Sequence, residues 1–214
     1  MANPGVYLDI DISDAMETIN ALRAIHTPEN FERLMYSAIR RTGRHVKTIL
    51  KKDLPKEYNA KPSWIGEQVG APKIELGGGV AGVSCSIPIK GTRGTIGGTF
   101  NASGGAHGWN ATRRRYKVSA QMVKSKRSIL PSEMKHQGGY PPFRNLGSKL
   151  GKLTFTRTGE KTSKGKDAIA KVVGISVPQM PLNRSEDDVQ TDIMDMLMKR
   201  LEQEHARIIK GLGR

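Results

Sequence analysis

Five histidines, one cysteine and twenty carboxylates are the side chains in this sequence best suited to ligate a metal or to serve a catalytic site as nucleophile or proton relay. The histidines stand at 26, 45, 107, 136 and 205; no two share a helix face at ligand spacing, and no His-Glu-x-x-His occurs. Each reads as a surface or packing residue. Cys85 lies in an alternating apolar run, where a small buried hydrophobe fits better than a nucleophile. A lone cysteine makes no internal disulfide and, without converging histidines, no zinc site, so the chain reads as kept in a reducing compartment. Between residues 31 and 184 only eight acids occur: Glu32, Asp53, Glu57, Glu67, Glu75, Glu133, Glu160 and Asp167. Magnesium-dependent nucleases need clustered carboxylates, and this scatter offers no cluster. Gly77-Gly78-Gly79 has no following Lys-Ser/Thr pair, and strand-like residues stand where a phosphate loop needs a helix. These residues leave a nuclease unsupported rather than excluded, since folding could gather a few acids, and no catalytic, metal or cofactor-binding residue is expected among them.

Positive charge is what remains. The chain has 214 residues with 35 Lys and Arg against 20 Asp and Glu, net +15. Residues 1–30 hold one basic residue and five acids, net −4; residues 185–214 hold five and seven, net −2. The middle, 31–184, holds 29 basic and eight acidic residues, net +21. Such a region attracts nucleic acid, an acidic protein surface or an anionic membrane. The densest clusters are Arg113-Arg114-Arg115-Tyr116-Lys117 and Lys124-Ser125-Lys126-Arg127, to which Arg40, Arg41, Arg44 and Lys47 add a third. These suit point contacts to phosphate, and Trp109 and Tyr116 flank the first cluster as stacking candidates or core anchors. No helix-turn-helix, zinc-finger or RNA-recognition signature accompanies them, so sequence-specific readout is not expected.

The elements that must carry these clusters follow from periodicity. Residues 5–12 partly alternate and suggest a strand. Ser13-Asp14 suggests a helix start, with Met16, Ile19, Leu22 and Ile25 recurring behind it. Thr27-Pro28-Glu29 is a second start: cap, first-turn proline, acid at the positive end. Phe31, Leu34, Met35, Ala38, Ile39, Val46, Ile49 and Leu50 then define one face of a helix of about 25 residues that Pro55 should end. Arg33, Arg40, Arg41, Arg44, Lys47 and Lys51 occupy the other face. A short helical segment is expected around 61–65, closed by Pro72. Val83, Cys85, Ile87 and Ile89 predict a strand, which Pro88 places at an edge or bulge. Thr95–Phe100, Tyr116–Val123, Leu153–Thr156 and Ile169–Ile175 predict four more, with loops over 101–115 and 136–147 and a polar turn over Arg157–Lys166. Ser185 with Asp188 resembles a capping box before a last helix, its apolar stripe Val189, Ile193, Met196, Leu197, Leu201, Ile208 and Ile209, stopped by Gly211 and Gly213. The order predicts an α+β fold: an antiparallel sheet packed with N-terminal helices and a long C-terminal helix. It reads as one domain, 1–214, with a helical part over 13–55, a strand-rich part over 80–176 and the final helix over 185–210. No run reaches the ~18 apolar residues of a membrane-spanning helix, and the N-terminus lacks the charged and apolar regions of a secretory signal.

Several segments together resemble the minor tail protein Z family of bacteriophages and prophages, within the broader group of HK97-type tail-completion and neck components. They are the helix pair ending in Arg40–Lys52, then Lys61-Pro62-Ser63-Trp64-Ile65, and the glycine-punctuated strands of 82–100. Pro142-Phe143-Arg144-Asn145-Leu146-Gly147 follows, and Val173-Gly174-Ile175-Ser176-Val177-Pro178-Gln179-Met180-Pro181-Leu182 leads into the last helix. The resemblance implies a structural virion protein without enzymatic activity or cofactor, acting in tail assembly and head–tail joining. It implies contact with the tail terminator, the tail tube and the head-side connector. It further implies a homo-oligomeric ring, with a hexamer as the candidate stoichiometry, at the neck end of the virion tail after assembly in the host cytoplasm. The basic clusters would then meet DNA without reading its sequence, or an acidic neighbour, and no membrane. A general nucleic-acid-binding protein is the alternative reading.

Overall fold

The computed structural model describes residues 6–9, 15–76, 83–104, 118–130, 141–146, 148–180 and 186–211. Among the described residues the chain folds as four helices and several small antiparallel sheets, an α+β class, and it divides into two compact units. The first gathers Met1–Leu54, Ile65–Gly91 and Val177–Arg214; the second gathers Pro55–Trp64 and Thr92–Ser176. Among the described residues no helix is long and apolar enough to cross a membrane.

In the first unit, α1 spans Met16–Ile25 and buries Ile19 and Leu22, while Ile25 at its end is 68% exposed. Ser13 and Asp14 lie outside the described residues; the cap position is Ala15, which makes no side-chain capping bond. The long helix α2, Pro28–Glu57, starts as its sequence dictates: Thr27 Oγ1 accepts from the Asn30 amide at 3.4 Å. All eight apolar residues expected to line one face are buried, and the arginine and lysine face is exposed or half-buried. Pro55 does not end α2. It sits in the last turn, where it removes one backbone bond only, and the helix continues to Glu57. Pro55–Glu57 already belong to the second unit, within which the Glu57 carbonyl accepts from Lys124. Helix α3 spans Pro62–Gln68.

Strands β1 (Val6–Asp9), β2 (Lys73–Leu76) and β3 (Val83–Ile89) form an antiparallel sheet in the order β1-β3-β2. Pro88 therefore lies in the central strand, not at an edge. Its missing amide is harmless there. Pro88 faces Tyr7 of β1, but its carbonyl points the other way and accepts from Gly70 at 2.8 Å, so its nitrogen also points away from β1. On that flank β2 has already ended its pairing at Lys73 with Ser86. Alternation is obeyed: Cys85, Ile87 and Ile89 are buried. Gly43 of α2 lies against Cys85 and Pro72, so the helix approaches the sheet at a residue without a side chain.

The last helix, α4 (Glu186–Ile209), buries Val189, Ile193, Leu197 and Leu201 from the expected stripe; Met196 and Ile208 are half-buried and Ile209 is 67% exposed. Gly211, at φ +66°, takes up the left-handed turn that closes it. Ser185 and Gly213 lie outside the described residues. The approach to α4 is a 3₁₀ turn, Val177–Gln179, with Val177 and Met180 fully buried.

In the second unit, β4 (Arg93–Thr95) pairs with β10 (Val173–Ser176), β5 (Asn101–Ser103), β6 (Ser119–Val123) and β7 (Lys126–Ile129) form a sheet, and β8 (Phe155–Lys161) pairs with β9 (Asp167–Lys171). Thr95–Phe100 is not one strand. Gly97 adopts φ +87°, an added Cβ there would collide with the Lys152 carbonyl, and the chain turns back so that Thr99 donates to Thr95. Residues 101–103, expected as loop, pair with β6, and Lys126–Ile129 forms an edge strand whose four residues are all exposed. The polar turn shrinks to Thr162–Lys166 because β8 runs on to Lys161, and the apolar run 169–175 breaks at Val172. Ile96, Thr154 and Val172, all buried, exchange backbone bonds of 2.9–3.0 Å and tie three segments together. The Gly77–Gly79 run lies outside the described residues.

Candidate functional site

Helices α2 and α4 run antiparallel, and each contact follows from matched steps along them. Lys52 Nζ meets Asp192 Oδ2 at 2.6 Å, His45 Nε2 meets an Arg200 terminal nitrogen at 3.0 Å, and Arg41 meets Glu204 at 2.7 Å. A step of one or two turns on α2 is answered by one or two turns on α4. The apolar stripes face the core, so the basic edge of α2 and the polar edge of α4 are left flanking a surface groove.

Two recesses lie in it. One, about 320 Å³ and open to solvent, is lined by Arg41, Arg44, His45 and Arg200. The other, about 250 Å³, is lined by Asn30, Arg33, Leu34, Ser37, Glu204, Arg207 and Ile208. Glu204 stands between the two arginine groups. Its side chain is 7% exposed and accepts from Arg41 on one side and from Arg207, at 3.1 Å, on the other. A carboxylate so deeply buried is tolerable only when paired, and two guanidinium groups achieve that. The Arg207 pair lies within α4, whereas the Arg41 pair crosses between the helices and so also fixes the register of α4 on α2.

The hydrogen bonds of Arg200 are informative. A guanidinium only donates, so His45 Nε2 is the acceptor and the ring proton sits on Nδ1. The other terminal nitrogen donates to Gln203 at 2.6 Å, while Nε is buried with no acceptor among the described residues. Neither Arg200 nor Arg44 has a carboxylate partner among the described residues, whereas Arg40 on the outer face stacks near Tyr36, 5.8 Å from its ring. Lys47 is exposed one turn beyond Arg44, its stem beside Gly66 of α3.

The remaining expected contacts belong to the second unit. Lys124, Lys126 and Arg127 are exposed on the β6–β7 hairpin, with Arg127 3.5 Å from Ser103 Oγ. Charges on an edge strand also discourage pairing with another chain, which gives these residues a structural use. Arg113, Arg114, Arg115, Tyr116 and Lys117, together with Trp109, lie outside the described residues. The sequence points to Arg41 and Arg44 as contact residues but does not single out Arg200, Glu204 or Arg207 for the site. The spacing of four and three residues along α4 was their signal.

The fold also makes a histidine pair that no sequence spacing suggests. His26, capping the C-terminal end of α1, and His205 of α4 lie 179 positions apart, yet His26 Nε2 and His205 Nδ1 are 2.7 Å apart with the rings edge-to-face. Burial, and then the charge His205 would carry, hold His26 below its usual 6.5. Among the described residues no three His, Cys, Asp or Glu side chains converge to hold a metal. His107 and His136 lie outside the described residues. Cys85 is buried, packed against α2.

Two segments of the family resemblance serve the fold. Phe143 bridges to Phe155, and Arg144, only 9% exposed, donates to the carbonyls of Ala102 and Gly104 at 3.0 Å and of Lys152 at 3.3 Å. Val177 and Met180 fill the core ahead of α4. Gly147, Pro181 and Leu182 lie outside the described residues. No protein-family model, curated protein or solved structure matches the chain.

Proposed function

We propose that this chain is a structural component of a bacteriophage or prophage tail, a completion or neck protein that assists tail assembly and head–tail joining. In this reading it forms a ring around the DNA path and meets the tail terminator, the tail tube and the head-side connector. It performs no chemistry of its own. Support comes from the resemblance in sequence, which includes residues that the fold uses as internal fasteners, Arg144 and Met180 among them. The single observation that carries the reading is the exposed arginine surface of α2 and α4, in which Arg44 and Arg200 lack carboxylate partners among the described residues. A ring lumen through which DNA passes calls for such a surface, because backbone phosphates attract cations without regard to sequence. The same observation favours one other reading, a free protein that binds nucleic acid without sequence preference.

Electron microscopy of particles assembled without this chain separates the two. The proposal expects tails of normal length that fail to join heads, rescued when purified protein is added. Normal infectious particles would overturn it. Sedimentation of the purified chain adds a second criterion: a defined ring supports the tail role, and a monomer that coats free DNA supports the alternative.

A further inference from the structure

We propose that the recess between α2 and α4 bounded by Arg41, Arg44, His45 and Arg200 is a binding site for a phosphate group. The inference concerns the chemistry of the recess and holds whichever assembly the protein serves. Three guanidinium groups line it, and Glu204, the carboxylate that pairs with one of them, is already divided between Arg41 and Arg207. Glu204 lines the neighbouring recess, not this one. The charge on the recess wall is therefore only partly compensated, since Arg41 shares Glu204 while Arg44 and Arg200 have no carboxylate partner among the described residues, and gathering three like charges is unfavourable unless an anion answers them.

Donor inventory points the same way. Arg200 has five N–H donors and spends two, one on His45 and one on Gln203. His45 and Gln203 accept from opposite ends of the guanidinium and so fix its plane. The unsatisfied Nε is buried, so bulk water does not reach it freely. A freely solvated arginine would show neither a pinned plane nor a buried orphan donor. Arg41 is likewise anchored at one nitrogen by Glu204, leaving its other donors available. Arg44, one turn of helix from Arg41 on the same face, is exposed and lines the same recess. Two pinned forks and a third exposed one suit a tetrahedral oxyanion, which guanidinium binds through paired, charge-assisted bonds. The volume, about 320 Å³, equals on the order of ten waters and has room for a phosphate group with part of its hydration.

The test uses the full-length protein and inorganic phosphate, titrated calorimetrically with chloride adjusted to hold ionic strength constant. Saturable binding at one site per chain is expected. Arg44→Gln and Arg200→Lys, the second keeping the charge but losing the fork, should each weaken it about tenfold or more, the usual worth of a charged hydrogen bond. Lys199→Gln removes an exposed charge from the same helix outside the recess and should change binding less than about twofold. A short DNA duplex then identifies the source of the phosphate. If the two arginine variants weaken duplex binding by similar factors and phosphate competes, the ligand is the nucleic-acid backbone. If the duplex responds equally to all three variants, it is a free phosphate. Absence of saturable phosphate binding, an effect of Lys199→Gln equal to that of Arg44→Gln, or preference for an acidic peptide over phosphate would each overturn the proposal. Should Arg200→Lys fail to fold, the exposed Arg44→Gln decides alone.

Discussion

Replacing Gly43 by alanine sets two opposing effects of known size against each other. In the interior of a helix the change should stabilise by about 1 kcal/mol, because glycine loses more backbone freedom on folding. In this protein Gly43 faces the sheet, and an added Cβ would lie 2.8 Å from Cys85 Sγ and 3.0 Å from Pro72 Cβ. Neither neighbour yields cheaply: the proline ring is rigid, and Cys85 sits in β3 between paired strands. Overfilling a tight core contact costs about 1–3 kcal/mol, so Gly43→Ala should destabilise by about 1 kcal/mol net. Cys85→Ala, which deletes the sulfur, should cost about 1 kcal/mol by itself through the small void it leaves. In the double variant the closest contact is gone, and the helical gain is partly realised. The cycle should show a favourable coupling of about 1–2 kcal/mol between the two sites. Urea unfolding under reducing conditions reads this out as shifts in midpoint, provided the slope is the same for all four proteins. A stabilised Gly43→Ala single variant would refute the reasoning, as would a coupling below about 0.5 kcal/mol, because either would mean that α2 and β3 are not in close contact there.

Arg144→Met should destabilise by about 2–4 kcal/mol in the same assay, because three carbonyls lose a charged donor at once; Arg144→Lys should rescue little, since one ammonium does not span them. His26 carries a pH dependence. Its folded pKa is lowered, so the unfolded chain binds more protons below 6.5, and the stability it contributes is complete above that value and lost as pH falls through it. The stability advantage of the natural protein over His26→Gln should shrink as pH drops from about 8 to 5, and a constant gap would refute the assignment.

Much of this molecule is determined by neighbours in sequence. The buried face of α2, its Thr27 cap, the stripe of α4 and the alternation of β3 all follow from periods of 3.6 and 2, which express local backbone geometry. The exposed arginine face of α2 follows by the same logic, since what is not buried on an amphipathic helix must be outside. Local rules also marked where glycine would turn the chain, though not that Gly97 would turn it inside an expected strand. Tertiary structure decided the rest. Pro88 could enter a central strand because the strand on its amide side stops short, a fact about β2 that β3 does not encode. β7 has no apolar alternation, since both its faces are exposed, and exists only because β6 offers an edge. His26 meets His205 across nearly the whole chain, and Arg41 finds Glu204, only after α2 and α4 pack antiparallel. Helical periodicity says which way a side chain points from its own axis. It carries no information about what stands opposite, and the arginine recess, made of one edge from each of two helices, is a property of that opposition.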